Sequence, residues 1–414
     1  MTLRKSRGLR FGLIWLTLLV PRAAVAQVGP PDDLSRRIEQ LEARVKELET
    51  LLAGVRALQT PAVPVAPVTP AADTQGDADA ADSIVSTEQS GAPTLRLRGF
   101  TDVQLNTAED ADTHGSFVLG QFDLFISSQL SEKFNLLSEL VVEANEKNEF
   151  GFEIERALLQ YSQNDYLNVD VGRYHTAIGY YNTAYHHGSW FATAVDRPTM
   201  FLFEDQGGIL PIHSVGVSAN GRIPSGGLGL RYVAEVGNGR AFDGPETEAV
   251  QTVVDNNSWK ALNLGFQIQP ARLPGFRAGA SMYRDHITPA RGTAIHENIA
   301  AAFVVYEGEK LELLNEAILI KHSPNGSRST FNTSAFYVQA GRRFGKSRPY
   351  VRYQYLDAPE SEPLFEGLGR RSGPSIGLRY DVARFVALKA QYDRRAHRHA
   401  ATADQLMMQL SLTF

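Results

Sequence analysis

The chain has no cysteine. Disulfides therefore contribute nothing to its stability, even in a compartment that permits them. Long apolar runs are missing too. The apolar stretch near the N-terminus covers residues 11–20, whereas a bilayer-spanning helix needs about 20 residues. No later segment is a candidate transmembrane helix. Nor does one sign of charge dominate: 41 basic and 46 acidic residues give a formal charge of −5. With both signs spread along the chain, it carries no nucleic-acid footprint. The composition, slightly polar overall, argues against a helical membrane protein. It does not argue against a β-barrel, which shows lipid only a thin alternating band.

What is present begins at the two ends. From Leu406 every second residue is apolar: Leu406, Met408, Leu410, Leu412 and Phe414. Alternate side chains of a strand point to opposite faces, so this segment is an amphipathic strand ending on an aromatic residue. At the other end, Arg4, Lys5, Arg7 and Arg10 precede the apolar stretch. Ala24, Val25 and Ala26 then supply the small residues that signal peptidase requires. Residues 1–26 are read as a secretory signal peptide. The alternative, a membrane anchor, has too short an apolar run. An exported chain without a spanning helix is periplasmic, secreted or a barrel. A closed barrel suits a cysteine-free chain because its backbone hydrogen bonds are all internal.

Residues 32–58 carry a heptad pattern. Leu34, Ile38, Leu41, Val45, Leu48, Leu52 and Val55 fall at spacings of four and three, a coiled-coil seam with Ile38, Val45 and Leu52 at the a positions. Arg37 and Arg44 would pair with Glu42 and Glu49 of a parallel copy. The alternative is an amphipathic helix packed on its own domain. Residues 59–93 are a Pro/Ala-rich linker, stiff where Pro61, Pro64, Pro67 and Pro70 recur and expected to be disordered beyond them.

Residues 94–414 hold sixteen strand-like stretches, from 95–106 to 404–414. The connections between them alternate. One set is tight, as at Ser131–Glu132, Gln163–Asn164, Gly308 and Ala383; the other is mostly long and polar, with 146–148 the short exception. Bacterial barrels have short periplasmic turns and long outer loops. Leu262, Leu264 and Phe266 alternate with Asn263 and Gln267, and Ile376, Leu378 and Tyr380 with Ser375, Arg379 and Asp381. The fold class expected is all-β, a 16-stranded antiparallel transmembrane barrel with its apolar faces toward lipid and polar faces inward, preceded by a short α-helical coiled coil. The longest connection, 176–211, holds Tyr180, Tyr181, Tyr185, Trp190, Phe191, Phe201 and Phe203. A loop of that length is usually functional, and these rings need burial. Either the loop folds into the lumen and narrows it, or it caps the barrel or packs on a neighbouring subunit.

The strand count, this long third loop, Val171, Gly172 and Arg173 leading into it, Asp196 to Pro198 and Gly207 to Pro211 within it, Asn238 to Arg240, Arg348 to Arg352 and the final Phe414 resemble a bacterial porin. The nearest resemblance is to the phosphate-selective porin O and P family, or to related trimeric porins with an N-terminal periplasmic coiled coil. It implies an outer-membrane trimer of barrels, each with its own water-filled channel for small solutes or ions, and an assembly signal at Phe414 read by the barrel-assembly machinery. Phosphate selectivity in that family rests on pore arginines and constriction lysines. The third loop here has one arginine, Arg197, and no lysine.

The lumen is expected to carry an acidic arc of Glu139, Glu143, Glu153, Glu155 and Asp170. A basic arc of Arg352, Arg379 and Lys389 should continue into Arg96 and Arg98. Such walls set ion preference, unless the charges pair across strands and cancel. The constriction is expected to involve Tyr180, Tyr181, Tyr185, His186, His187, Asp196, Arg197 and Glu204. Arg173 shares the phase of Val171 and points outward unless a bulge intervenes. No cofactor or metal is expected: His186 with His187, and His397 with His399, lack a matching carboxylate or thiol set. No nucleophile, base and acid are visible together, so an enzyme is not expected. A substrate-specific sugar or peptide channel, using the loop aromatics, and a structural or adhesive barrel are the alternatives.

Overall fold

The computed structural model describes residues 93–414, apart from 109–114, 145–148, 186–188, 204–206, 243–248, 251–252, 290–291, 366 and 399–400. The segments read as signal peptide, coiled-coil seam and linker, up to residue 92, with His186, His187 and Glu204, lie outside the described residues.

Eighteen strands follow in order: β1 (Thr94–Ala108), β2 (Ser116–Gln129), β3 (Phe134–Ala144), β4 (Phe150–Asn164), β5 (Leu167–His175), β6 (His213–Arg222), β7 (Leu230–Asn238), β8 (Ala241–Phe242), β9 (Ala249–Val250), β10 (Lys260–Ile268), β11 (Phe276–Ile287), β12 (Ile295–Glu307), β13 (Leu311–Pro324), β14 (Phe331–Arg342), β15 (Ser347–Asp357), β16 (Arg370–Ala383), β17 (Val386–His397) and β18 (Ala403–Thr413). Sixteen of them form one closed antiparallel barrel, and β8 with β9 makes a separate two-stranded ribbon in the connection after β7. The ribbon was not expected. Strand β7 also starts later than the sequence pattern implies. Gly226–Leu228 forms a 3-10 turn, and Gly229 follows with φ +61°, where a Cβ would stand 2.2 Å from the Gln269 carbonyl oxygen.

The barrel closes between β1 and β18, with Phe100 opposite Thr413. The Gly99 N–H donates to the Phe414 carbonyl at 2.9 Å, and the Phe414 N–H donates back at 3.0 Å. The Phe414 ring covers Gly99 and lies 5.8 Å from the Phe122 ring. A side chain at position 99 would occupy the space of that ring.

Alternation of exposure tells the two faces apart. Leu262 and Leu264 are 51% and 49% exposed while Asn263 between them is 4% exposed. The outer surface carries Leu95, Leu97, Val171, Val217, Val304, Leu319, Ile376 and Leu410, an apolar belt around the barrel. The inner surface departs from the polar expectation over β11 to β14. There Ile287, Ile299, Phe303, Val305, Leu314, Ile318, Ile320 and Ala335 are buried on the inside, in one cluster with residues of the 176–212 connection. That wall is apolar because it is packed by protein and not bathed by water.

In β4 the register shifts between Glu139 opposite Arg156 and Leu140 opposite Ile154. The extra residue is a β-bulge, and past it Arg156 and Leu158 take the inner face. In β5, Arg173, Tyr174 and His175 are buried in succession, which a regular strand with one exposed face cannot do. The pleat breaks at Gly172, with φ +136° and a virtual Cβ 1.9 Å from the Ala157 carbonyl oxygen. Arg173 is therefore buried instead of following exposed Val171 outward.

Gly99→Val is expected to lower the temperature at which the folded barrel, followed by its faster mobility in detergent gels, converts to the unfolded form. Gly151→Val is the control, because the nearest atom to a Cβ there is 3.9 Å away. Equal transition temperatures for the two variants would show that the Phe414 ring does not lock the seam.

Candidate functional site

The described residues of 176–212 run inside the barrel. The root is fixed by the Thr176 N–H donating to the Ile212 carbonyl at 2.9 Å and by Asn182 Nδ2 donating to the Thr176 carbonyl at 2.7 Å. A single helical turn, α1 (Tyr181–Ala184), and a 3-10 turn, Thr199–Phe201, are its regular structure. Its apolar side chains Ile178, Tyr181, Met200, Phe201, Ile209 and Leu210 pack on the apolar inner wall. Tyr181 stacks on Phe201 at 5.4 Å and meets Tyr337 of β14 edge-on at 6.3 Å. Removing side chains of this size from water contributes roughly 1.5–3 kcal/mol each, so the lumen at this level has a genuine core.

An irregular segment has peptide groups that no neighbouring strand can bond, and buried ones are costly when left open. Here the barrel wall supplies the partners. Carboxylates and amides take the N–H groups. Glu235 of β7 accepts from Ala177 N–H at 3.0 and 3.2 Å. Glu316 of β13 accepts from Tyr180 N–H at 2.5 Å and Tyr181 N–H at 2.9 Å. Gln391 accepts from Val195 N–H at 3.0 Å and Gln354 from Thr199 N–H at 2.9 Å. Cations take the carbonyls. Arg379 of β16 donates to the carbonyls of Trp190 and Ala192, the latter at 3.1 Å, with its guanidinium 4.8 Å from the Trp190 ring. Lys389 of β17 donates to Ser189 and, at 3.2 Å, to Ala194. Arg352 of β15 donates to the Asp196 carbonyl at 3.1 Å and to its carboxylate.

These three cations are the expected basic arc. They are 2%, 8% and 3% exposed for Arg352, Arg379 and Lys389, beneath the loop and not on an open pore face. Asp196, expected in the polar lining, is instead the loop's main anchor. Burial works against its ionisation, but Arg352 and Arg395 outweigh burial, with Gln391 donating at 2.6 Å, and its carboxyl is held below the usual carboxylate range. Arg197 turns back on its own segment: Nε donates to the Phe201 carbonyl at 2.6 Å, and the guanidinium lies 3.9 Å over the Phe203 ring. Tyr180 and Tyr185 both donate through their hydroxyls to Glu307 of β12, so the tyrosines expected at the constriction face the wall.

On the opposite arc, Glu139 accepts from Arg156 Nε at 2.5 Å, Glu143 from Gln121 at 2.7 Å and Asp170 from Asn220 at 3.4 Å. Glu155 is buried against His213, Glu153 is half-buried, and Arg96 and Arg98 are exposed. Between this arc and the loop lies a cavity of about 300 Å³, with Arg156, Asp170, Tyr174, Thr183, Arg231 and Glu235 in its lining. A second connection, 358–369, also turns inward. Its Glu362 bonds His322 Nδ1 at 2.7 Å; His322 Nε2 meets Glu297 at 2.8 Å; Arg240 reaches Glu297 at 2.8 Å and the Ile209 carbonyl at 3.0 Å. The residues that sequence reasoning missed, among them Glu235, Glu312, Glu316, Gln354 and Gln391, share one signal. They are polar at inward-phase strand positions.

No protein-family model matches the chain, and no curated protein does. Among solved structures, the anion-selective porin from Comamonas acidovorans aligns over 78% of this chain and 100% of its own, at 14% identity and a TM-score of 0.56. The outer membrane channel DcaP of Acinetobacter baumannii aligns over 80% and 100%, at 12% identity and 0.53. OmpT of Vibrio cholerae in its trimer form aligns over 78% and 100%, at 12% identity and 0.52. At these identities the likeness is one of fold alone.

Arg379→Gln tests whether this cation holds the loop or polarises an open pore. As a tether, its loss should loosen 189–192 and give larger, noisier single-channel currents with little change in reversal potential across a salt gradient. Steady currents with a marked shift toward cations would instead make Arg379 a free pore charge.

Proposed function

We propose that this chain is an outer-membrane porin, a passive channel for small hydrophilic solutes and ions. The observation that carries this reading is the inserted loop: a closed barrel with an apolar outer belt holds the described residues of 176–212 against part of its inner wall and keeps beside them a cavity lined by both polar and apolar side chains. The belt matches a lipid environment, since a closed barrel leaves no strand edge to be satisfied in hydrocarbon. In this reading the side with the long connections faces outward, as in bacterial barrels, and residues 32–58 are periplasmic.

Selectivity is proposed to be weak. Arg352, Arg379 and Lys389 are engaged with the loop, and the cavity lining mixes Arg156 and Arg231 with Asp170 and Glu235. This does not favour a phosphate or general anion filter in the resting channel. Tyr180, Tyr181, Tyr185, Phe201 and Phe203 are buried in the core, so these five rings are not offered as a stacking platform for a sugar.

The loop is the proposed constriction. Replacing residues 186–199 with a short Gly/Ser linker should raise conductance several-fold in planar bilayers. It should also unmask the three cations and move the reversal potential toward anions, more so at low salt. Unchanged conductance would mean that the loop does not limit flow.

The assembly is proposed to be a trimer, with the 32–58 seam joining the chains below the membrane and Phe414 in the signal for barrel insertion. Leu41→Asp together with Leu48→Asp should reduce the oligomer recovered after detergent extraction, as read by its mass. An unaltered mass would assign assembly to the barrels alone.

A further inference from the structure

The loop's two roots carry a constellation that neither packing nor conduction requires. His175 ends β5 where the chain leaves the wall, and His213 begins β6 where it returns; the two are register partners. Glu155, the bulge residue of β4, meets them. One donor atom from each of Glu155, His175 and His213 lies within 4.8 Å of the others, and all three side chains are buried. Glu155 contacts His213 directly. The His175 and His213 rings stand edge to face at 5.3 Å, and Phe203 stacks over His213 at 6.3 Å. A fourth donor is close: Glu139 Oε2 lies 3.7 Å from His175 Nε2. On the next strand, Asp123 is 1% exposed, and neither of its carboxylate oxygens has a hydrogen-bond partner among the described residues. It faces the register position of Val141, two residues from Glu139.

We propose that Glu155, His175 and His213 form a binding site for a divalent transition-metal cation of the zinc type, which fastens both roots of the inserted loop to β4. Two imidazoles and a carboxylate are a donor set that suits zinc better than magnesium or calcium, which prefer all-oxygen shells. Donors around a tetrahedral zinc stand about 3.4 Å apart, so modest side-chain rotations would bring three groups within 4.8 Å into contact with one ion. Glu139 completes the set as a fourth ligand or as an acceptor that orients His175. The buried carboxylates Glu139 and Glu155 face the dication, with Arg156 the cation bonded to Glu139. The ion bridges three strands and closes the ring that begins and ends the loop.

The test uses the full chain, folded in detergent, stripped with a chelator and titrated with zinc chloride by calorimetry. The expected result is one zinc per chain, with affinity reduced at least tenfold in Glu155→Gln and in His213→Gln, and magnesium unable to compete at equal concentration. Gel mobility checks the folding of both variants, so that a defect in one leaves the other to decide. His296→Gln, in a separate pair where His286 and His296 approach at 3.2 Å, should bind as the parent does. Absence of binding by the parent, or binding unaltered in both site variants, overturns the proposal, as does loss confined to His296→Gln. Binding is read without conduction, so this test stands apart from the channel reading. In bilayers, saturating zinc should reduce current flicker several-fold in the parent and leave Glu155→Gln unaffected. Equal effects on both would overturn the fastening of the loop.

Discussion

Peptide groups taken away from water must find partners, and an irregular segment inside a barrel has no neighbouring strand to provide them. Here the wall solves the problem by dividing its charges. Glu235 and Glu316 receive N–H groups at the start of the loop; Arg379, Lys389 and Arg352 receive carbonyls along its middle. The charged residues of the lumen are first of all scaffolding. Ion pairs such as Arg348 with Glu312, at 2.8 Å, reinforce the same surface, and Thr193 joins that pair to the loop. The cavity, with its mixed lining, is what this packing leaves over.

In the proposed membrane setting the two faces of the barrel work against different solvents. Within hydrocarbon, apolar side chains gain no hydrophobic driving force from meeting one another, so the outer belt contributes compatibility more than cohesion. Inside, the alternative to contact is water, and burying Ile299, Ile320, Phe201 and Leu210 is favourable in the ordinary way. The molecule is thus turned inside out only in part: over β11 to β14 it has a conventional core, and over β1 to β5 it keeps polar and charged groups.

The sixteen strands were legible because each carries a period of two bounded by turn residues, and the alternation of short and long connections set their direction. The final strand was legible for the same reason. The loop's insertion was foreshadowed by its rings, Tyr180, Tyr181 and Phe201, which had to be buried somewhere. What could not be read was which charges the loop would consume. Inward phase identifies Arg352 and Arg379 as luminal, but only the folded path of 189–196 places carbonyls against them. Local breaks were equally hidden. The bulge at Glu155 shifts the phase by one residue, and the turn of the backbone at Gly172 buries Arg173 with no change of register; phase is all that the pattern conveys. His175 and His213 lie 38 positions apart and meet only through the register of β5 with β6.

The contacts that dock the loop join residues far apart in the chain: Arg352 and Asp196 are separated by 156 positions, Gln391 and Val195 by 196. Long-range closure is the slow part of folding, because chain entropy is lost before the contact is made. The wall strands β15 to β17 must already be paired for their side chains to form the docking surface. The newly closed barrel therefore exists first as a wide bore and acquires its narrow one in a later step. For that interval the lumen is open to its full width, and the strength of the loop's anchors governs how seldom that state recurs.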